Sequence, residues 1–159
     1  MKQKIILLVE DNPDDEALIL RALKKNKIEN EVIVVRDGAE ALEYLFATGK
    51  YAGRDTNVMP SVILLDLGLP KIAGLEVLQR LRDDSRTILI PVVILTSSKE
   101  QEKLIQSYSL GANIFVRKPS DFSQLFKTIR QLKLNTILLN EPAEGRDGLD
   151  GNTTLRLDR

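Results

Sequence analysis

Five short apolar blocks recur along the chain: Ile5 to Val9, Val32 to Val35, Val62 to Leu65, Val92 to Leu95 and Ile114 to Val116. They are rich in β-branched residues and do not alternate with polar ones, which is the pattern of strands buried on both faces. Segments of helical period lie between them. The first has Pro13, suited to a first-turn position, and sets Leu18, Ile19, Ala22 and Leu23 on one face. The second starts at a cap, Asp37, with Glu40 three residues on, and buries Leu42, Leu45 and Phe46. The third carries Leu75, Leu78 and Leu81, and the fourth Leu104, Ile105 and Tyr108, ending near Gly111. The fifth follows a cap at Ser120 or Asp121 and carries Leu125, Ile129 and Leu132. This alternation predicts an α/β fold: a doubly wound, five-stranded parallel sheet with helices on both faces and its ligand site at the carboxyl ends of the strands.

At 159 residues the chain has the length of one domain, too short for a receptor plus an effector. Residues 47 to 60, rich in Gly, Asp, Asn and Thr, read as an exposed loop inserted before the third strand. From Asn140 the apolar periodicity stops, so residues 1–139 form the folded body and 140–159 a flexible tail. The apolar run Ile5 to Val9 ends at Glu10-Asp11, too soon for a secretory signal, and no run approaches the length of a membrane span. The chain therefore reads as soluble and cytoplasmic.

Lysine plus arginine total 23 and aspartate plus glutamate total 23, so no net charge draws the protein to nucleic acid or to a membrane. Neither cysteine nor histidine is present. Disulfides, thiolate nucleophiles, Cys/His zinc sites and histidine acid-base catalysis are excluded together. Chemistry is left to carboxylates, hydroxyls, lysine and arginine.

Those residues stand where the fold puts ligands. The first strand runs into Glu10-Asp11, the third into Asp66, the fourth into Thr96 with Ser97 and Ser98, and the fifth into Arg117-Lys118-Pro119. In a parallel sheet these ends share one rim, and crowded carboxylates repel unless a cation sits among them. Magnesium suits the setting because it takes few carboxylates and keeps positions open for phosphate oxygens. Asp66 would then act as a nucleophile toward phosphorus, with Lys118 and the Thr96 hydroxyl meeting the phosphoryl oxygens. Taken singly, Asp11 or Asn12 reads equally as a helix cap, Thr96 as a residue preceding a helix and Lys118 as a solvated loop residue.

The stretches IILLVED (Ile5 to Asp11), ILLDLGLP (Ile63 to Pro70) with Gly74, VILTS (Val93 to Ser97) and GANIFVRKP (Gly111 to Pro119) resemble the receiver domain of two-component response regulators across residues 4 to 133. The resemblance implies the flavodoxin-like strand order 2-1-3-4-5. It makes Asp66 the phosphoacceptor, Glu10 and Asp11 the acidic pair for Mg2+ (or Mn2+ in its place), and the Gly68 carbonyl a further metal ligand. Thr96 and Lys118 become the phosphoryl contacts, Phe115 the switch aromatic coupled to Thr96 (read singly, it serves equally as an ordinary core aromatic), and Lys118-Pro119 a cis bond. It implies a stoichiometric phosphoacceptor that assists its own phosphorylation and dephosphorylation rather than an enzyme. The donor is a sensor histidine kinase that supplies the missing histidine.

The long loop before the third strand, the Ile90-Pro91-Val92-Val93 entry to the fourth strand, the stretch Ser107 to Asn113 and the lack of an output domain resemble more narrowly the single-domain regulators of bacterial, cyanobacterial-type phytochromes. One departure matters. A polar side chain often follows two residues after the phosphoacceptor, and here Gly68 leaves the attacking water without it. Gly68 also counts against a phosphatase of the haloacid-dehalogenase type, which needs a second aspartate there as general acid. The acidic stretch Glu10 to Asp15 counts against a flavin phosphate. A receiver fold that signals by partner binding without phosphorylation stays open.

If the fifth helix continues, at about 100° per residue, Leu134, Ile137 and Leu138 leave the stripe of Leu125, Ile129 and Leu132. They are covered either by the helix end folding back on its own domain or by a partner, and the second reading predicts a homodimer through the fourth helix, fifth strand and fifth helix, the face on which the resemblance places such contacts.

Overall fold

The computed structural model describes residues 5–68, 73–96 and 114–117. In chain order these form β1 (Ile5–Val9), α1 (Pro13–Lys25), β2 (Glu31–Val35), α2 (Gly38–Phe46), a short 3-10 turn (Gly49–Tyr51), β3 (Val62–Asp66), α3 (Gly74–Arg82), β4 (Val92–Thr96) and β5 (Ile114–Arg117). All five strands pair in parallel, in the order β2-β1-β3-β4-β5. The expected α/β sheet is present in the expected order. Asp66 and Thr96 lie within their strands rather than beyond them. The segments expected to form the fourth and fifth helices, the Lys118-Pro119 bond and the tail 140–159 lie outside the described residues.

Successive side chains of a strand point to opposite faces, and the two faces carry separate cores. Leu7, Val9, Ile63, Leu65, Val92 and Ile94 meet α2 and α3 through Ala41, Leu42, Tyr44, Leu45, Val77, Leu78 and Leu81. Ile6, Leu8, Val62, Leu64, Val93 and Leu95 meet α1 through Ile19, Ala22 and Leu23. All of β3 is buried because it has strands on either side and helices on either face. In β2, by contrast, Val35 alone is fully buried, since an edge strand has a neighbour on one side only. The helical stripes differ in detail from their expected form: Leu18, Phe46 and Leu75 are half-buried, and Val77 joins Leu78 and Leu81 in the core.

The ends of α1 follow from its sequence. The Asn12 side chain accepts from the Asp14 and Asp15 amides, Pro13 fills the first turn, and acids precede bases along the helix dipole. At the other end Lys27 adopts a left-handed φ of 62°, its amide donating to Lys24 O, while the Ile28 amide donates to Leu23 O. This is a Schellman cap with lysine where glycine is usual, closed by burial of Ile28.

Residues 47 to 60 form the expected largely exposed connection, and part of it packs against α2. Arg54 folds back onto the C-terminus of α2, donating through Nε to Tyr44 O at 2.6 Å and through a terminal nitrogen to Leu45 O at 3.3 Å. Its other terminal nitrogen reaches Val58 O at 2.6 Å, and the guanidinium stacks 4.1 Å over the Tyr44 ring. A cation thus satisfies carbonyls that the end of a helix leaves orphaned, at the negative end of its dipole. Tyr51 packs edge-on against Tyr44 and donates to Glu40 Oε2 at 2.7 Å, so the loop runs back along α2.

Candidate functional site

Register brings the acids together. Val9 pairs with Leu65 in the centre of the sheet, so the chain leaving β1 sets Glu10 beside Asp66, and Asp66 pairs in turn with Leu95 of β4. Glu10 is wholly buried, Asp66 is 6% exposed and Asp11 faces solvent. One carboxylate oxygen from each lies within 4.8 Å of the other two.

Backbone amides hold these carboxylates. The Asn12 amide donates to Glu10 Oε2 at 3.2 Å, and the Gly68 amide to Asp66 Oδ1 at 3.0 Å. The Glu10 amide itself donates to Val35 O, and that of Leu67 to Leu95 O, which ties both rim turns to neighbouring strands. Glu16, in the first turn of α1, pairs with the Arg36 guanidinium at the end of β2. Gly74 opens α3 so close to the rim that a β-carbon there would lie 2.6 Å from Asp66 O and from Leu67 Cα. Gly68, on the open side, has Asp66 Oδ1 at 3.8 Å as the nearest atom to such a carbon.

Among the described residues, these three carboxylates are the cluster able to share an ion. Their donors are hard oxygens, and the chain has no imidazole or thiolate to offer a softer metal. With Glu10 out of water, mutual repulsion among the three would be relieved by a divalent cation, which for Mg2+ takes oxygen ligands at about 2 Å. The donor set fits Mg2+ or Mn2+.

The remaining expected site residues are placed by backbone alone or not at all. Thr96 ends β4 opposite Arg117, and Phe115 lies on β5 opposite Ile94. Lys118 is outside the described residues. Two supporting residues were not legible as such: Asn12, which reads as a cap alone, and Gly74, which appears only within the motif. Glycine carries no sign of what its missing side chain makes room for.

Residues 6–130 match the response regulator receiver domain. The chain belongs to this family. The response regulator Rcp1 of Synechocystis sp. is 38% identical over 139 residues, covering 86% of this chain and 92% of Rcp1. Among solved structures, the bacteriophytochrome response regulator AtBRR is 52% identical, with a TM-score of 0.74, over 89% of this chain and 100% of that one. The phosphorylated cyanobacterial phytochrome response regulator RcpA is 40% identical, with a TM-score of 0.73, over 87% of this receiver and 96% of RcpA. Rcp1 is known in an Mn2+-bound form, 37% identical with a TM-score of 0.73 over the same shares of the two chains. This receiver is thus similar over most of its length to phytochrome response regulators, as the narrower resemblance implied.

Proposed function

We propose that this receiver takes a phosphoryl group from a sensor histidine kinase onto Asp66 and signals through the resulting change in its surface. The observation that carries the reading is the setting of Asp66: a nearly buried carboxylate ending a central strand, with Glu10 and Asp11 close enough to share a cation. An Asp66 carboxylate oxygen attacks the phosphorus of a kinase phosphohistidine. The oxygen–phosphorus bond forms as the nitrogen–phosphorus bond breaks, and the imidazole nitrogen leaves with the electron pair. Glu10, Asp11, Asp66 and the Gly68 carbonyl would hold Mg2+ or Mn2+. When bound, the ion offsets negative charge on the phosphoryl oxygens.

Thr96 and Lys118 contact the phosphoryl group, and Phe115 relays the movement of Thr96 to the outer face of β5. One group is accepted per chain and later lost to water, so the protein is a stoichiometric phosphoacceptor. The likeness to AtBRR and RcpA supports a phytochrome kinase as donor. Among the described residues no helix is long and apolar enough to cross a membrane, which agrees with a cytoplasmic site of action. Homodimerisation through the fourth helix, β5 and fifth helix supplies the output face, with Leu134, Ile137 and Leu138 at the contact.

The test is intact mass after treatment with acetyl phosphate and Mg2+. Wild type gains one labile phosphoryl group and Asp66→Asn gains none. Equal uptake by the variant moves the acceptor elsewhere. No uptake by wild type favours a module that signals by partner binding alone.

A further inference from the structure

We propose that Asn12 is a positioning residue for the acidic pair, holding Asp11 in reach of a cation that Glu10 and Asp66 also meet. The inference rests on the metal-binding part of the reading above and names a residue that the reading does not use. Asn12 is fixed in two directions at once. Its amide donates to Glu10 Oε2 at 3.2 Å, which ties it to the buried acid. Its side-chain Oδ1 accepts from the Asp14 amide at 2.8 Å and the Asp15 amide at 3.0 Å, which ties it to the start of α1. Its carbonyl accepts from the Glu16 amide at 2.9 Å, closing the first turn.

Asp11 sits between these anchors. Its carboxylate is exposed, unlike that of Glu10, so core packing does not set its direction. What sets it is the backbone on either side: Glu10, whose amide is bonded to Val35 O, and Asn12, whose extended φ of −92° and ψ of 116° are those of a helix cap. Loss of the Oδ1 acceptor frees the second anchor. The Asp11 carboxylate then samples orientations away from the ion, and affinity falls by a cost of ordering rather than by loss of a ligand.

The experiment is titration of the full chain with Mg2+ by calorimetry, in the absence of phosphodonor, together with thermal melting of the metal-free protein. Asn12→Ala is expected to bind about tenfold more weakly, the lower end of what outer-shell partners of a metal site contribute. Asn12→Ser keeps a capping oxygen and should bind within about twofold of wild type. Asn12→Gly lacks the oxygen but costs a helix start little, so it reports on affinity even if Asn12→Ala does not fold. Asp11→Asn serves as reference. Wild-type affinity in Asn12→Ala, or in Asn12→Gly if the alanine variant does not fold, with weakened binding in Asp11→Asn, overturns the positioning role and leaves the metal site standing. So does a lowered melting temperature alone, or a serine variant as weak as alanine. Undiminished binding by Asp11→Asn overturns the metal site and the proposal with it.

Discussion

Replacing Gly74 with alanine tests how tightly the rim of the sheet is held. A β-carbon at this position lies 2.6 Å from Asp66 O and Leu67 Cα and 3.2 Å from Leu67 C, where ordinary contact starts at 3.4 Å. The backbones must therefore part by between 0.4 Å, which reaches the 3.0 Å that real contacts do not go below, and 0.8 Å, which reaches 3.4 Å. No flexible side chain is there to yield. Helix α3 is pinned by Val77, Leu78 and Leu81, all with no exposed surface, and β3 is paired on both sides. The shift therefore falls on the end of β3 and the turn that follows it, where Asp66 lies. Overpacking of this kind costs about 1–3 kcal/mol of stability. A reacting atom misplaced by about 1 Å costs on the order of a hundredfold in rate. The expected result for Gly74→Ala is thus a tenfold to hundredfold slower initial phosphorylation by acetyl phosphate, roughly the range that such a displacement implies. Intact mass over time is the readout, and urea denaturation gives the stability. Gly53→Ala, whose β-carbon meets nothing within 4 Å, is the control and should leave both unchanged. A Gly74→Ala protein with wild-type rate and stability would falsify the claim that the close approach of α3 sets the position of Asp66.

Other outcomes follow from the same geometry. Arg54→Ala strips the carbonyls of Tyr44, Leu45 and Val58 of a charged donor and removes the stack on Tyr44, so the urea midpoint should fall by the equivalent of about 2 kcal/mol; an unmoved midpoint means that the loop does not brace α2. Glu40 gives a pH dependence. Burial works to raise its pKa, but donation from the Arg36 amide, the Tyr51 hydroxyl and the Lys50 ammonium outweighs it and holds the carboxyl below its ordinary 4.5. Its stabilising contribution is therefore complete above pH 4.5 and lost as pH falls through the folded-state value. Glu40→Gln should flatten the acid limb of the melting curve, and a limb of unchanged slope would contradict this. The Tyr51 hydroxyl, pushed up to about 12 by burial and by its bond to Glu40, stays a donor throughout that range. Gly68→Asn, whose β-carbon would meet Asp66 Oδ1 at an ordinary contact distance of 3.8 Å, should leave phosphoryl uptake intact while shortening the lifetime of the phosphorylated form, by offering attacking water an amide partner; a lifetime equal to wild type would show that residue 68 does not govern hydrolysis.

Fold class and the three acids at the rim were legible in the chain because each rests on a local signal, whereas the strand order followed only from the resemblance to a known family. Unalternating apolar blocks mark doubly covered strands, and an acid directly after such a block must emerge at the strand end. Asp37 with Glu40 likewise marked the start of α2, and the Asp37 side chain does accept from the Glu40 amide. The rest depended on what lies nearby in space. Arg54 carries no mark in the sequence that its guanidinium caps a helix ending eight residues earlier, since a surface arginine and a capping one look alike until the chain has turned. Gly74 stands in the sequence only as part of a motif, and the close approach of α3 to β3 makes its missing side chain a requirement. Glu10 and Asp66 stand 56 positions apart in the numbering, and pairing of Val9 with Leu65 makes them neighbours. Local sequence determines which side chains arrive at an element's end; the tertiary fold decides which ends meet, because distance through the sheet is set by strand order and register, not by separation along the chain.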